Sequence, residues 1–179
     1  MTNLNTIFSL FTIGTQILIV ILLISFFTKQ ENPLLRFFSK NALWIAFLVA
    51  IVATGLSLFY SEIAGFEPCK LCWYQRIFLY PQLVLFGVAL WRKNDYVTDY
   101  SLILSLFGGA IALYHYYGQM LNPSVLPCAV VGLTPACSQR FFVEFGYITI
   151  PMMALTTFVL MAVLMIIRKK QVGETLKLE

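Results

Sequence analysis

The chain has 179 residues, of which 60% are hydrophobic and only 11% are charged. Soluble domains average about 45–50% apolar and about 25% charged residues, so much of this chain must face lipid. The length suits one compact domain, and the sequence has neither a glycine-rich phosphate loop nor a basic stripe with interleaved aromatics, which disfavours nucleotide-driven motors and nucleic-acid binders. The net charge of +4 is small, so the positions of the charged residues are more informative than their total.

Five stretches are long and apolar enough to cross a membrane, which takes about 20 residues. They are residues 6–27, 42–60, 73–91, 100–118 and 147–167. The first could be mistaken for a signal peptide, but it lacks a basic leading region and no small-residue cleavage pattern follows Ser25. We therefore interpret it as a retained helix and expect an all-α integral membrane protein.

The connector at residues 28–41 is predicted to lie along the membrane interface. Pro33 is near its middle, and four large apolar residues follow: Leu34, Leu35, Phe37 and Phe38. Apolar side chains mixed with basic ones are typical of a segment that lies on a membrane rather than across it.

Lysine and arginine are concentrated on one side of the predicted spans, and cytoplasmic loops hold the excess of these residues. Nine of the twelve fall on that side: Lys29, Arg36, Lys40, Arg92, Lys93, Arg168, Lys169, Lys170 and Lys177. The other side has Lys70 and Arg140, with Arg76 just inside a span. We predict that the N-terminus is outside and the C-terminus cytoplasmic, with outer loops at residues 61–72 and 119–146.

All four cysteines fall in these outer loops, although the loops are assigned from lysine and arginine alone. Cys69 and Cys72 precede the third span, and Cys128 and Cys137 lie in the second outer loop. The space outside a bacterial cytoplasmic membrane is where disulfides form and persist. The placement therefore favours thiol chemistry outside the cell's reducing compartment.

Cys69 and Cys72 form a Cys-x-x-Cys motif at the predicted start of a helix, where three effects favour a thiolate. The helix N-terminus offers unpaired N–H groups and a partial positive charge. Arg76 lies four residues after Cys72, hence on the same helical face, and Lys70 adds another positive charge. Pro68, just ahead of the pair, suits the start of a helix. Because a thiolate is the attacking species in disulfide exchange, the motif indicates redox chemistry.

Other interpretations of the cysteines stay open at this point. The Cys-x-x-Cys motif could be half of a zinc site that Cys128 and Cys137 complete, or an inert structural disulfide. Cys128 and Cys137 could form a loop staple, because closing a loop of about ten residues stabilises by roughly 2–3 kcal/mol. Gly132 and Pro135 between them favour an open loop instead, with a disulfide that a partner can reach.

Three polar side chains are predicted at similar depth, close beneath Cys72. Arg76 lies about one turn inside the third span, and His115 and Gln119 share a face near the outer end of the fourth. An arginine at membrane depth indicates a functional site. The simpler alternatives are an Arg76 that reaches up to the lipid headgroups and a His115 that is an ordinary buried residue.

The ligand that best suits such a place is a quinone, because it is lipid-soluble, accepts two electrons with protons, and has oxygens that accept hydrogen bonds. One histidine is too few for a haem with two histidine ligands, which argues against a b-type cytochrome. Six aromatic residues lie nearby: Trp73, Tyr74, Phe78, Tyr114, Tyr116 and Tyr117. They could pack on a quinone ring, but such residues also form ordinary interfacial belts.

The run Pro68-Cys69-Lys70-Leu71-Cys72-Trp73-Tyr74-Gln75-Arg76 resembles the signature of DsbB-type disulfide bond formation proteins, especially their BdbC-like branch. The resemblance covers about residues 42–168 and includes the pair His115 and Gln119 and the segment 145–151 before the last span. It implies a four-helix transmembrane bundle, to which this chain adds an N-terminal transmembrane helix. We therefore divide the chain into 1–41 (helix and connector), 42–168 (membrane domain) and 169–179 (cytoplasmic tail).

The resemblance also implies roles for the cysteines. Cys128 and Cys137 would form the disulfide that meets a reduced extracytoplasmic thioredoxin-like oxidase of the DsbA or BdbD kind. Cys128 would form the mixed disulfide, and Cys137 would pass the electrons to Cys69. Cys72 would face a membrane quinone as a thiolate. The short spacing of the second pair matches BdbC-like members and departs from relatives with a longer loop.

For the quinone, ubiquinone or menaquinone, the resemblance implies that Arg76 stabilises developing negative charge and that His115 and Gln119 line the pocket. The expected function is a thiol:quinone oxidoreductase of the bacterial cytoplasmic membrane. A vitamin K epoxide reductase-like enzyme is the nearest alternative, but its Cys-x-x-Cys opens a different span. Exporters of reductant like DsbD or CcdA place their cysteines within spans, and a scaffold with structural disulfides or zinc is the non-enzymatic alternative.

Overall fold

The structure is a computed structural model that describes residues 2–28, 33–92, 96–121, 137 and 139–175. Within these residues it has six α-helices: α1 (Thr2–Phe27), α2 (Pro33–Lys40), α3 (Ala42–Leu58), α4 (Lys70–Arg92), α5 (Val97–Met120) and α6 (Ile150–Thr175). A π-helical turn, Phe59–Ile63, continues α3. The predicted all-α fold is confirmed, and the five predicted spans coincide with α1, α3, α4, α5 and α6.

The last helix begins later than the sequence predicts. Glu144 and Ile148 pair through two backbone hydrogen bonds of 2.9 Å, and the chain reverses between them with positive φ at Phe145 and Gly146. This turn takes up residues that apolar composition alone assigns to the span. Thr149 then accepts the first helical hydrogen bond, from Met153, and α6 starts at Ile150.

In the described part of the chain, four helices are long and apolar enough by composition to cross a membrane: Leu4–Phe27, Ala42–Ile63, Val97–Met120 and Ile150–Lys170. The 23 residues of α4 also extend about 35 Å, which exceeds the hydrocarbon thickness of about 30 Å. Its buried face is less apolar because it carries Gln75, Arg76 and Gln82. The helices fit a multi-pass membrane protein.

Helices α3, α4, α5 and α6 form a four-helix bundle in which each packs against its two neighbours. Small residues on α3 and α5, Ala46, Ala50 and Ala112, are fully buried, which lets the backbones approach closely, as in other membrane bundles. Large apolar side chains such as Trp44 and Leu48 point outward. Because lipid is as apolar as the core, the outward face needs no polar residues.

The N-terminal helix α1 packs along α6, outside the bundle. Polar side chains fix it there: the Tyr60 hydroxyl donates to Asn5 Oδ1 (3.1 Å), and Gln16 accepts from Tyr147 (2.9 Å) and donates to Thr156 (3.1 Å). The short helix α2 packs mainly against α6. The connector is therefore helical from its proline onward.

A glycine on α5 makes room for a buried ring of α6. A Cβ on Gly108 would lie 2.4 Å from ring atoms of Phe158, whereas a Cβ on the adjacent Gly109 would lie 3.5 Å from the Cβ of Phe158. Phe158 is almost fully buried. The Gly108 position thus has no room for a side chain, and the Gly109 position does.

We expect Gly108→Ala to lower the free energy of unfolding by about 1–3 kcal/mol, because an overpacked core forces a buried ring to move. Gly109→Ala is the matched control and should leave stability unchanged or slightly raised, since alanine favours a helix. Thermal unfolding of the detergent-solubilised protein measures both variants. Equal midpoints for the two would contradict the close approach.

Candidate active site

The Cys-x-x-Cys motif opens α4, as the sequence predicts. Cys69 directly precedes the helix, and its carbonyl oxygen accepts the hydrogen bond from the Trp73 N–H (3.1 Å). Cys72 lies in the first turn. Both cysteines are free, and their sulfurs are 3.2 Å apart. The two sulfurs can therefore form a disulfide with little movement.

The surroundings of Cys69 favour the thiolate form of its side chain. A hydrogen bond from the Cys72 thiol, with a smaller contribution from His115, lowers the pKa of Cys69 from 9.0 to about 4, despite the burial of its sulfur. The sulfur is 3.7 Å from Nε2 of His115. The pair thus holds one proton on Cys72 and presents a nucleophilic sulfur at Cys69.

His115 lies at the centre of the thiol cluster and is almost fully buried. Its Nδ1 is 3.1 Å from the side-chain amide nitrogen of Gln75, and its Nε2 is 3.1 Å from the carbonyl oxygen of Cys137. With Gln75 donating to Nδ1, the ring proton is on Nε2. From there it reaches both the Cys137 carbonyl and the Cys69 sulfur.

Cys137, which lies between α5 and α6 in the chain, belongs to the same cluster. Cys137 is disulfide-bonded and buried, and its sulfur, the Cys69 sulfur and a His115 ring nitrogen all lie within 4.8 Å of one another. These three atoms are spaced as metal ligands could be, but a sulfur in a disulfide offers no thiolate. Cys128, predicted to meet the partner, lies outside the described residues.

Gln119, predicted at a depth similar to that of Arg76 and close beneath Cys72, contacts the segment that follows Cys137. Its side-chain amide nitrogen donates to the backbone carbonyl oxygen of Gln139 (2.7 Å), and the backbone carbonyl oxygen of Gln119 accepts from Arg140 Nε (3.0 Å). Gln119 thus fastens the segment that follows Cys137. With His115, it lines a small cavity beside the thiols.

Arg76 is buried inside α4 and bonded to the neighbouring helix. Its Nε donates to Ser57 Oγ (2.9 Å) and its Nη2 to the Ser57 carbonyl oxygen (2.8 Å), while the guanidinium lies 5.1 Å from the Trp73 ring centre. A guanidinium has five N–H donors, so three remain that no residue of the described chain accepts. The side chain does not reach up to the headgroups but stays at the α3–α4 contact.

A larger cavity lies between α3, α4 and α6. Arg76 and Cys72 line it, with Ser57 and Tyr60 of α3 and its π-helical turn. Its other walls are mostly apolar: Leu56, Leu79, Met153, Ala154 and Phe158. His115 and Gln119 do not line this cavity, so the structure brings two of the predicted quinone-site residues to the thiols and leaves Arg76 with Cys72.

The two cavities share four lining residues: Glu67, Cys72, Phe141 and Ile150. Cys72 is the one cysteine among them. It therefore faces the thiol cluster on one side and the apolar cavity on the other.

Sequence reasoning missed three residues of the site. Gln75 lies within the motif, and only its position next to Arg76 could have drawn notice. Tyr60 marks the end of an apolar run, and Ser57 is one of many serines in membrane helices. Their roles depend on which helix faces which, and a single sequence has no signal for that.

The comparisons with known proteins agree with this geometry. Residues 39–168 match the family model described as disulfide bond formation protein DsbB. The chain is 41% identical over 124 residues to a probable disulfide formation protein C 1 of Bacillus cereus, covering 69% of this chain and 88% of the relative. It is 37% identical over 134 residues to disulfide bond formation protein C of Bacillus subtilis (74% and 95%), and 34% over 142 residues to a probable disulfide formation protein of Metapseudomonas resinovorans (78% and 97%). No solved structure matches the chain significantly.

The lowered pKa of Cys69 predicts that the reduced motif stays reactive in acid. Because its pKa is about 4, Cys69 is a thiolate above that pH and its alkylation rate should be nearly constant from about pH 8 to about pH 5. An ordinary thiol, with a pKa near 8.5, loses about tenfold in rate per pH unit over that range. Mass spectrometry of the alkylated Cys69 peptide gives the rates.

The variant Cys72→Ala, which removes the strongest hydrogen-bond donor to Cys69, should raise this pKa more than His115→Ala does. A wild-type rate that already falls tenfold per unit below about pH 8 would show that Cys69 is an ordinary thiol.

Proposed function

The chain belongs to the DsbB family of disulfide bond formation proteins, and on that premise we propose that it reoxidises an extracytoplasmic thioredoxin-like dithiol oxidase and passes the electrons to a membrane quinone. Membership makes it a membrane thiol oxidoreductase that supports disulfide-bond formation. The observation that carries the quinone part is the placement of Arg76 and Cys72 on one apolar cavity between membrane helices.

The electron route that we propose has two exchanges. A dithiol partner of the DsbA or BdbD kind reduces the outer-loop disulfide, leaving Cys128 and Cys137 as thiols and the partner oxidised. The Cys137 thiolate attacks the sulfur of Cys69 in an oxidised Cys69–Cys72 pair, which forms a Cys69–Cys137 bond and releases Cys72 as a thiolate. Attack of Cys128 on Cys137 re-forms the outer disulfide and releases Cys69, so two electrons have moved inward.

The placement of the sulfurs supports this route. Those of Cys69 and Cys137 lie within 4.8 Å of each other, beside a His115 nitrogen that can donate a hydrogen bond to the released Cys69 thiolate.

The residues of the larger cavity fit a quinone. Its walls are mostly apolar with a few polar groups, as is usual for small-molecule sites. The chemistry that a quinone supplies when bound is uptake of the two electrons and two protons of the Cys69–Cys72 dithiol. Arg76 offers N–H donors for a quinone oxygen, and Ser57 holds the guanidinium in place.

We also propose that the cysteine-bearing end of the bundle faces outward from a bacterial cytoplasmic membrane. Cys69 and Cys72 begin α4 and Cys137 precedes α6, whereas the basic residues Arg92 and Lys169 lie at the opposite ends of these helices. An excess of basic residues marks the cytoplasmic side. The three described cysteines thus share one end, which favours an oxidase over an exporter that must be reached from both faces.

Withdrawal of quinone tests the proposed function. In membranes depleted of quinone and supplied with a reduced thioredoxin-like dithiol protein, Cys69 and Cys72 should accumulate as thiols, because electrons arrive but cannot leave. Added quinone should restore their disulfide, as read by alkylation with a mass tag. In the control variant Cys137→Ser the pair should stay oxidised throughout. A wild-type disulfide that persists without quinone would show that the electrons take another route.

The Arg76–Ser57 contact predicts a graded loss of quinone use. Arg76→Ala should raise the quinone KM about tenfold to a hundredfold, as expected when a hydrogen bond to a charged group is lost. Ser57→Ala should raise it about two- to tenfold, because the backbone carbonyl still holds the guanidinium. Disulfide exchange with the partner should be unchanged in both. An unaltered KM in Arg76→Ala would remove Arg76 from the site.

A further inference from the structure

The N-terminal helix α1 precedes the residues that match the family, which begin at 39. We propose that α1 is part of the quinone site: Asn5 is a positioning residue that holds Tyr60, and with it one wall of the larger cavity, in the shape that binds the quinone ring. This inference rests on the proposed function, since it assigns α1 to the same cavity.

The contact between α1 and the cavity wall is a buried hydrogen bond. The Tyr60 hydroxyl donates to Asn5 Oδ1 at 3.1 Å, and both side chains are more than nine-tenths buried. Phe8, one turn further along α1, meets the Tyr60 ring edge-on, with ring centres 6.3 Å apart. The ring of Tyr60 faces the cavity while its hydroxyl is bound by α1.

Tyr60 is the first of three stacked rings that line the cavity. It stacks on Phe66 with ring centres 5.7 Å apart and planes 9° apart, and Phe66 stacks on Phe141 at 4.5 Å and 10°. All three line the larger cavity. Offset and parallel stacks of this kind hold each ring relative to the next, so a shift of Tyr60 moves the whole aromatic wall.

The position of Tyr60 depends on Asn5 because the Tyr60 hydroxyl is buried and Asn5 is its hydrogen-bond partner. A buried hydroxyl that loses its partner costs more than the hydrogen bond itself contributed, because it is left desolvated. Without Asn5, the Tyr60 hydroxyl must turn toward another polar group, and the apolar wall of the cavity changes with it. A helix outside the bundle thereby sets the geometry of a site inside it.

A second anchor of α1 offers a matched control. Gln16 hydrogen-bonds to Tyr147 and Thr156, and neither of these residues lines the larger cavity. Gln16→Leu therefore removes polar contacts between α1 and the bundle without touching the aromatic wall. This variant therefore measures the contribution of α1 to stability, separately from any effect on quinone binding.

The experiment measures equilibrium binding of a short-chain ubiquinone to the purified protein in detergent, through quenching of its tryptophan fluorescence. Asn5→Leu and Tyr60→Phe should each weaken binding about three- to tenfold. The double variant should be no weaker than either single variant, because both remove the same hydrogen bond. Gln16→Leu should bind the quinone like the wild type, even where its thermal midpoint falls as far as that of Asn5→Leu.

The outcomes separate this inference from the proposed function. If the wild type binds the ubiquinone and Arg76→Ala does not, but Asn5→Leu binds normally, α1 is not part of the site and the proposed function stands. Additive losses in the double variant, or an equal loss in Gln16→Leu, would likewise overturn the inference. If the wild type does not bind the quinone, the proposed function is wrong, and the inference about α1, which rests on it, is wrong as well.

Discussion

A guanidinium inside a membrane bundle must be solvated by the protein, and the contact of Arg76 with Ser57 meets that requirement. Two N–H donors go to one residue of the neighbouring helix, one to its hydroxyl and one to its backbone. This contact fixes the α3–α4 pair in register. It also leaves the remaining donors, beside Cys72, on a cavity that is mostly apolar. The charged group that is hardest to place in lipid is thus the one that organises the site.

Other polar side chains in the bundle follow the same constraint, because lipid offers no alternative hydrogen-bond partner. The amide of Gln82 on α4 accepts from Ser101 and Ser105 of α5, at 2.8 and 3.1 Å, with no exposure to the outside. Apolar packing between helices gives little preference for one register in a membrane. Directional hydrogen bonds such as these specify which helix meets which, and at what height.

The helices follow from the sequence because runs of about 20 apolar residues have few alternatives in lipid. The position of Cys69 and Cys72 at the start of α4, and of Arg76 one turn deeper, follows from helical spacing along one element. The grouping of His115 and Gln119 with Arg76 does not, because it depends on the rotation of α5 about its own axis. In the structure that rotation turns His115 toward Cys69 and Cys137. The role of Ser57 could not be predicted for the same reason, because it depends on which face of α3 is turned toward Arg76.

The partition between the two cavities has a further consequence for the proposed electron route. Among the cysteines of the described chain, Cys72 is the one that lines both cavities. If the larger cavity takes a quinone, as we propose, every electron pair from the thiol cluster would leave through that single sulfur atom.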